Sequence, residues 1–156
     1  MTIRTLFSSL LSVAVLLFSA SLGSAALESY EIDSSHSSIS FKVRHFFSKI
    51  PGSFNNFTGH IHYDPEYPAN NYAEAEISAK SIDTNHQKRD AHLNNEDFLD
   101  TPRYPKITFR STQWQPLGDN LFRVTGDLTI METTLPVMLN VELLGERQQA
   151  NSVITT

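Results

Sequence analysis

The chain has 156 residues, a net charge of −5, a hydrophobic content of 40% and a charged content of 19%, which together indicate a folded domain and not a disordered segment. It contains no cysteine, which excludes disulfides and thiolate chemistry. It also contains no basic cluster along the sequence, which disfavours nucleic-acid binding.

The first 26 residues have the three parts of a secretory signal peptide. Arg4 supplies the positive charge, 6–18 form an apolar core, and 21–26 are rich in small residues. The apolar run is shorter than a bilayer span, which argues against a membrane anchor. We therefore predict export, cleavage near Ala25 or Ala26, and no membrane span in the mature chain.

After the predicted signal peptide, six stretches alternate apolar and polar residues with the period of two that is typical of half-buried strands. Their apolar faces are Ile39, Phe41, Val43 and His45; Phe57, Gly59, Ile61 and Tyr63; Ala73, Ala75, Ile77 and Ala79; Ile107 and Phe109; Phe122, Val124, Gly126, Leu128 and Ile130; and Leu135, Val137, Leu139, Val141 and Leu143. Turns are predicted at Pro51-Gly52 and at 118–120.

The stretch 81–105 is the one long interval that does not alternate, and it predicts a helical insertion at about 85–100. Asp83 or Thr84 can cap the helix, because their side-chain oxygens accept hydrogen bonds from free backbone N–H groups. Pro102 and Pro105 end it, since proline restricts the residue before it and cannot donate a hydrogen bond.

These elements predict an all-β fold, an antiparallel barrel with one helical insertion. A long meander must protect its edges, and closure into a barrel is the usual solution. Several inward positions are small, and they either leave space for a ligand or make room for neighbouring aromatic rings: Gly59, Ala73, Ala75, Ala79 and Gly126. The predicted domain spans 27–146, followed by an irregular tail at 147–156.

No catalytic arrangement is recognisable in the sequence. His60 and His62 fall on one strand face, as two metal ligands do, but no third ligand stands at a suitable spacing. Arg89, Asp90 and His92 can do acid–base chemistry, yet such neighbours on a helix are more often structural. We therefore predict no enzyme, no cofactor and no metal. A metal-assisted enzyme that uses His60 and His62 remains as an alternative.

Five segments together resemble the YceI-like family. They are YEIDSSHSSISFKVRH, GSFNNFTGHIHYD, SIDTNHQKRDAHLNNEDFLD, PKITFRS and VTGDLTIMETTLPVML. The resemblance covers 30–146 and is specific because the motifs occur jointly and in order. The motifs that carry most of it are Ile32-Asp33 with His36-Ser37, the Arg89-Asp90-x-His92-Leu93 helix, and Asp97-Phe98 ahead of Pro105.

The resemblance implies a periplasmic, lipocalin-like barrel that binds a polyisoprenoid lipid, such as the tail of a quinone or of its precursor, without catalysis. It also implies a link to isoprenoid quinone handling or to a stress response. The implied partner is thus a long-chain isoprenoid lipid held in an apolar tunnel. Arg89, Asp90 and His92 match the helix motif of the family and would either meet the head group or have a structural role. The implied lining residues are Phe41, Val43, Phe57, Ile61, Tyr63, Ile77, Phe109, Val124, Leu128, Val137 and Leu139.

Two features depart from the family pattern. Family members continue beyond Leu144 with strands that complete the barrel, whereas this chain continues with the polar GERQQANSVITT. We therefore expect a C-terminally truncated, incomplete barrel whose open edges allow a homodimer. Glu132 stands where the family often has glycine, and it would add strain if that turn needs a positive φ. A degenerate or structural barrel fragment without ligand is accordingly the second functional interpretation.

Overall fold

The structure is a computed structural model that describes residues 28–144, so the predicted signal peptide at 1–26 and the predicted tail at 147–156 lie outside the described residues. Within 28–144 the strands are β1 (Glu28–Glu31), β2 (Ile39–His45), β3 (Ser48–Phe54), β4 (Phe57–Tyr63), β5 (Tyr72–Ser78), β6 (Ile82–Asp83), β7 (Lys106–Gly118), β8 (Leu121–Ile130) and β9 (Thr133–Glu142). The α-helix α1 spans Gln87–Leu93, and short 3-10 helices stand at Pro68–Asn70 and Ala79–Ser81.

The strands form two antiparallel sheets, which confirms the predicted all-β class with one helical insertion. The larger sheet has the order β1-β4-β5-β7-β8-β9, and the smaller one has the order β2-β3-β6. Neither sheet closes on itself within 28–144, so β1 and β9 are the edges of the larger sheet there. The predicted barrel is therefore open in the described part of the chain.

The larger sheet aligns the apolar faces that alternation predicts. Phe57 on β4 lies opposite Ile77 on β5, and Ile77 lies opposite Ile107 on β7. Further along the sheet, Val124 on β8 lies opposite Leu139 on β9. Directly opposed residues of antiparallel strands share a face, so these side chains form one apolar surface, the inner face. The polar residues that alternate with them form the outer face.

The small residues of the inner face make room for neighbouring side chains. A Cβ atom added at Gly126 would lie 2.5 Å from the ring of Phe109, and one added at Gly59 would lie 2.7 Å from Cδ1 of Ile32. Both distances are far shorter than a normal contact between carbon atoms. The sequence left open whether these small residues leave space for a ligand or make room for neighbouring side chains. At Gly59 and Gly126 the structure supports the second interpretation.

The predicted turn at Pro51-Gly52 is wrong, because both residues lie inside β3 and pair with β2. The chain reverses instead at 46–47. Gly52 lies under the ring of Phe41, where an added Cβ atom would be only 2.3 Å from the ring. Pro51 is tolerated because β6 pairs with 53–54 alone and leaves that side of the proline without a ladder partner.

Alternation also missed β1, β6 and the second half of β7. β1 has four residues and β6 has two, which is too short for a period to show. In β7 the register shifts between Ser111 and Gln113. This irregularity puts Trp114 on the inner face, where strict alternation from Phe109 would put Gln113. Trp114 is therefore out of step with the alternation in the sequence, although its side chain lies on the same apolar face as that of Phe109.

The helix is shorter than the predicted 85–100, because α1 ends at Leu93 and turns follow it. The predicted cap, Asp83 or Thr84, is also wrong. His86 is the N-cap, and its imidazole accepts a hydrogen bond of 3.2 Å from the backbone N–H three residues further on. Asp83 is still part of β6, so the helix begins later than the sequence suggests.

The strain expected at Glu132 does not arise, because Met131 takes the positive φ of the turn, at 55°. The carboxylate of Glu132 instead accepts hydrogen bonds from the guanidinium of Arg103 (3.1 Å) and from the hydroxyl of Tyr104. This contact joins the β8–β9 turn to the segment that follows α1.

Candidate ligand-binding face

The predicted lining residues lie on the inner face or, for Phe41 and Val43, on the apolar side of β2. They differ in how far the rest of the molecule covers them. Phe57, Ile77 and Val124 are buried; Phe41, Ile61, Tyr63, Phe109, Leu128 and Val137 are half-buried; Val43 and Leu139 are exposed. The inner face is thus filled in two regions and uncovered in a third.

The first filled region lies where the smaller sheet meets the larger one. Its buried residues are Phe57, Ile77, Ala79 and Ile107, and Ile32, Ile39, Phe54 and Leu128 pack against them. Ile39 and Phe54 come from β2 and β3, so the small sheet covers this end of the inner face. The side chains here contact one another and stabilise the fold.

The second filled region is aromatic and lies on β7 and β8. Phe122 meets the rings of Tyr63 and Trp114 edge-on, at centroid distances of 6.0 and 5.8 Å. The indole N–H of Trp114 donates to the hydroxyl of Ser111 (3.2 Å), which also accepts from the backbone N–H of Ala73 (2.8 Å). The indole N–H of Trp114 is thus paired, as buried donors usually are, and the aromatic region remains apolar.

The third region of the inner face is uncovered in the described part of the chain. Leu135 and Leu139 on β9 are 60% and 42% exposed. Val43, which lies on the apolar side of β2 in the smaller sheet, is 56% exposed. Val124, the neighbour of Leu139 on β8, is only 1% exposed. Apolar surface of this kind can be covered by an apolar chain, at about 0.8 kcal/mol per methylene group removed from water.

Two concavities, of about 510 and 250 Å³, lie on the outer face and not on the inner face. The larger one is lined by polar side chains that include Thr58, His60, Glu74, Thr108, Arg110 and Asp127. Arg110 and Glu74 are themselves 3.4 Å apart across this groove. Of the predicted lining residues, only Phe109 borders this groove, so the groove does not coincide with the predicted lipid-binding face.

His60 and His62 point to the outer face, as the sequence predicts. His60 lies opposite Glu74 on β5, and His62 stacks on the ring of Tyr72 at a centroid distance of 6.2 Å. Within residues 28–144, no three side chains of histidine, aspartate or glutamate are grouped to hold a metal ion. In this part of the chain, no third ligand accompanies the two histidines as a zinc site needs.

Arg89 and Asp90 both bond to Thr84, a buried residue that the sequence pattern singled out only as a possible helix cap. The guanidinium of Arg89 donates to the hydroxyl and to the carbonyl of Thr84, at 2.7 and 2.8 Å. The carboxylate of Asp90 accepts from the hydroxyl and from the backbone N–H of Thr84. The hydrogen bond from the hydroxyl is the main reason that the pKa of Asp90 is lowered. The pair thus holds α1 against the chain that precedes it.

His92 is exposed and binds the turn after α1. Its Nε2 lies 3.5 Å from the carboxylate of Asp97, and its ring meets that of Phe98 at a centroid distance of 4.8 Å. Asp33 and His36 form a similar pair in the turn after β1, where 2.7 Å separate the carboxylate of Asp33 from the imidazole of His36. That hydrogen bond lowers the pKa of Asp33 and raises the pKa of His36. Both motifs therefore organise turns.

The inner face and its uncovered edge define a class, an antiparallel barrel-type sheet with a partly open apolar interior. Comparison with known proteins narrows this class. A model of the YceI-like domain matches residues 30–156. Protein YceI of Escherichia coli O157:H7 is 41% identical over 139 residues, which are 87% of this chain and 71% of that protein. A UPF0312 protein of Photorhabdus laumondii is 39% identical over 137 residues, with the same coverage. The chain therefore belongs to the YceI-like family.

Solved structures agree with this assignment. BcnA of Burkholderia cenocepacia superposes with a TM-score of 0.71 at 27% identity, covering 74% of this chain and 73% of BcnA. The YceI protein of Campylobacter jejuni gives 0.59 at 29% identity, covering 74% and 68%. A polyisoprenoid binding domain of Saccharophagus degradans gives 0.55 at 16% identity, covering 77% and 70%, a likeness of fold. Of the helices between 28 and 144, none has the length and apolar character of a membrane-spanning segment.

Proposed function

We propose that this protein is a periplasmic binding protein, not an enzyme, that holds a polyisoprenoid or a similar long-chain lipid against the inner face. The observation that carries the proposal is the uncovered part of that face. Leu135 and Leu139 are exposed although they continue an apolar surface that is packed on the neighbouring strand β8. The Saccharophagus domain, which shares the fold and is described as polyisoprenoid binding, adds support to this choice of ligand.

The polar motif at α1 divides into two roles under this proposal. Arg89 and Asp90 form hydrogen bonds with Thr84, which favours a structural role for both residues. His92 is exposed, so its imidazole is the member of the motif that is accessible to a lipid head group. An isoprenoid quinone or its precursor combines such a polar head with an apolar tail. The proposal therefore includes a role in quinone handling or stress tolerance.

Export rests on the N-terminal sequence, where a positive charge, an apolar core and small residues follow one another. Within 28–144, β1 and β9 are edges without a further strand, and such edges favour a homodimer because they can add a strand from a second molecule.

A second candidate function is a barrel that has lost its ligand. It is favoured by the sheet being open within 28–144 and by the position of the two described concavities on the outer face. A chain of this kind would fold and persist without retaining lipid.

Native mass spectrometry of the protein, purified from the periplasm without detergent, separates the two candidates. We expect an added mass that matches a polyisoprenoid, and the same spectra give the oligomeric state. Leu139→Asp should lower the lipid-bound fraction about tenfold, because a carboxylate on the inner face would have to lose its water beside the lipid. Met138→Asp is the matched control, since Met138 lies on the opposite side of the same strand and is 63% exposed.

Circular dichroism establishes that both variants are folded before binding is compared. A parent protein that is folded but carries no lipid would favour the ligand-free barrel. Equal loss of lipid from both variants would mean that binding does not depend on the inner face.

A further inference from the structure

The β2–β3 hairpin differs in charge from the rest of the molecule. Between 39 and 54 the chain contains Lys42, Arg44 and Lys49 but no aspartate or glutamate, although the whole chain has a net charge of −5. All three side chains are exposed. Among the described residues, no carboxylate lies within ion-pair distance of any of them.

Folding brings these three cations together. Arg44 lies directly opposite Lys49 across the two strands, and Lys42 lies two residues before Arg44 on the same side. Like charges in directly opposed positions destabilise a hairpin. The absence of a basic run in the sequence is therefore misleading, because the basic surface forms only across the two strands. An anionic partner would remove the repulsion.

The tip of the hairpin adds two aromatic rings to this basic surface. Phe46 is 81% exposed, and the side chain of Phe47 is fully exposed. Val43, on the opposite side of β2 from the cations, is also exposed. Phenylalanine side chains gain about 1.5–3 kcal/mol when they leave water, so two of them at one tip favour an apolar environment.

We propose that the β2–β3 hairpin docks on a membrane that contains anionic lipids. Phe46 and Phe47 enter the boundary between head groups and acyl chains, and Arg44 and Lys49 bind lipid phosphates. A strand advances about 3.3 Å per residue, so both cations lie within about 7 Å of the tip, which is the depth of the head-group layer. Long basic side chains can extend along the strand to stay at that level.

A nucleic acid is the less favoured partner of the same surface. Three cations on a chain of net charge −5 give weak phosphate contacts, and phosphate contacts alone leave the two exposed phenylalanines in water. The docking inference stands on the hairpin alone and does not depend on the proposed lipid ligand. If both hold, the hairpin gives the carrier a way to reach the membrane from which it takes lipid.

Co-sedimentation with vesicles tests the inference. The parent protein, purified from the periplasm, should bind vesicles of phosphatidylcholine with 30% phosphatidylglycerol, and should bind pure phosphatidylcholine at least tenfold more weakly. Arg44→Glu should weaken binding about 25-fold, because it removes one cation and adds one anion, and each unit of charge changes membrane binding about fivefold. Phe47→Ser should weaken it about tenfold.

Two controls make these losses specific. Lys88→Glu changes the net charge equally at an exposed position of α1, and Tyr67→Ser removes an exposed aromatic ring outside the hairpin. Both should bind vesicles like the parent. Arg44→Glu also replaces a like-charge pair by an opposite-charge pair with Lys49, so the variant is expected to fold at least as well as the parent.

Three results would overturn the inference: equal binding to both kinds of vesicle, parent-like binding by Arg44→Glu, or binding to duplex DNA as tight as to vesicles and unaffected by Phe47→Ser. Arg44→Glu should retain as much lipid in native mass spectra as the parent. The two experiments therefore test membrane docking and lipid binding independently of each other.

Discussion

Strands β8 and β9 have the same alternating pattern, yet they end in different environments. On β8 the inward residues Phe122 and Val124 are 7% and 1% exposed, whereas on β9 the inward residues Leu135 and Leu139 are 60% and 42% exposed. β8 has a partner on both sides, and β9 has one among the described strands. The comparison teaches that alternation specifies which face of a strand is apolar, while the neighbours of the strand decide whether that face is covered.

The largest effect should come from truncating one inward residue on each strand. Phe122→Ala should lower the free energy of unfolding by about 3–5 kcal/mol, because it empties a site packed between two aromatic rings. Leu139→Ala should lower it by only about 1 kcal/mol, since the leucine is already partly in water. Urea denaturation followed by circular dichroism measures both values.

Equal losses in the free energy of unfolding from Phe122→Ala and Leu139→Ala would contradict the difference between β8 and β9. They would mean that the inner face of β9 is covered in solution, by another segment or by a second molecule.

A smaller effect is expected from adding a single carbon atom to the interior of the sheet. In Gly126→Ala the new Cβ atom would lie 2.5 Å from the ring of Phe109 and 2.6 Å from the carbonyl oxygen of Arg110. The backbone and the ring must both shift, at a cost of about 1–3 kcal/mol in the same denaturation experiment.

The double variant Gly126→Ala with Phe109→Leu tests the cause. A smaller side chain at position 109 should recover part of the loss, and an additive result would show that the ring is not what limits the site.

The smallest effect concerns the segment around α1, which hydrogen bonds hold instead of apolar packing. Asp90→Asn should lower the free energy of unfolding by about 1 kcal/mol near pH 7, because the bonds from Thr84 lose their charged acceptor. The pKa of Asp90 is lower in the folded protein than the roughly 3.9 of an unfolded chain. Its contribution is therefore fully present above about pH 4 and is lost as the pH falls through the folded pKa.

The difference between parent and Asp90→Asn should accordingly shrink as the pH falls below about 4. Asp119→Asn is the control, because it removes the same charge in the exposed β7–β8 turn, where asparagine also tolerates the positive φ. Its effect at pH 7 should stay within about 0.5 kcal/mol. A difference for Asp90→Asn that persists at low pH would assign the loss to packing and not to charge.

Sequence reasoning predicts the faces of the sheet well, because a strand has a fixed period. The positions of Phe57, Ile77, Val124 and Leu139 on one face all follow from alternation. It fails where a contact between distant residues decides the local structure. Pro51-Gly52 has the composition of a turn, but the ring of Phe41 requires the glycine inside a strand.

The candidate site was predictable to a similar extent. The inward positions were identified, but their exposure depends on which strands lie beside β9, which no local pattern reports. Trp114 was missed because an irregularity in β7 interrupts the period two residues before it. Thr84 was predicted as a possible helix cap, but its bonds to Arg89 and Asp90 were missed, because they form only once the first turn of α1 folds back on the chain before it.

Pro136 lies within β9, opposite Asp127. Prolines in sheets are found where the missing N–H faces away from the ladder, here toward the free edge of the described sheet. An incoming strand would therefore find one donor absent in the middle of β9 and could form only two short runs of hydrogen bonds. Pro136 therefore permits a limited pairing of two copies but hinders the stacking of many copies into fibres, which an exposed apolar edge strand otherwise promotes.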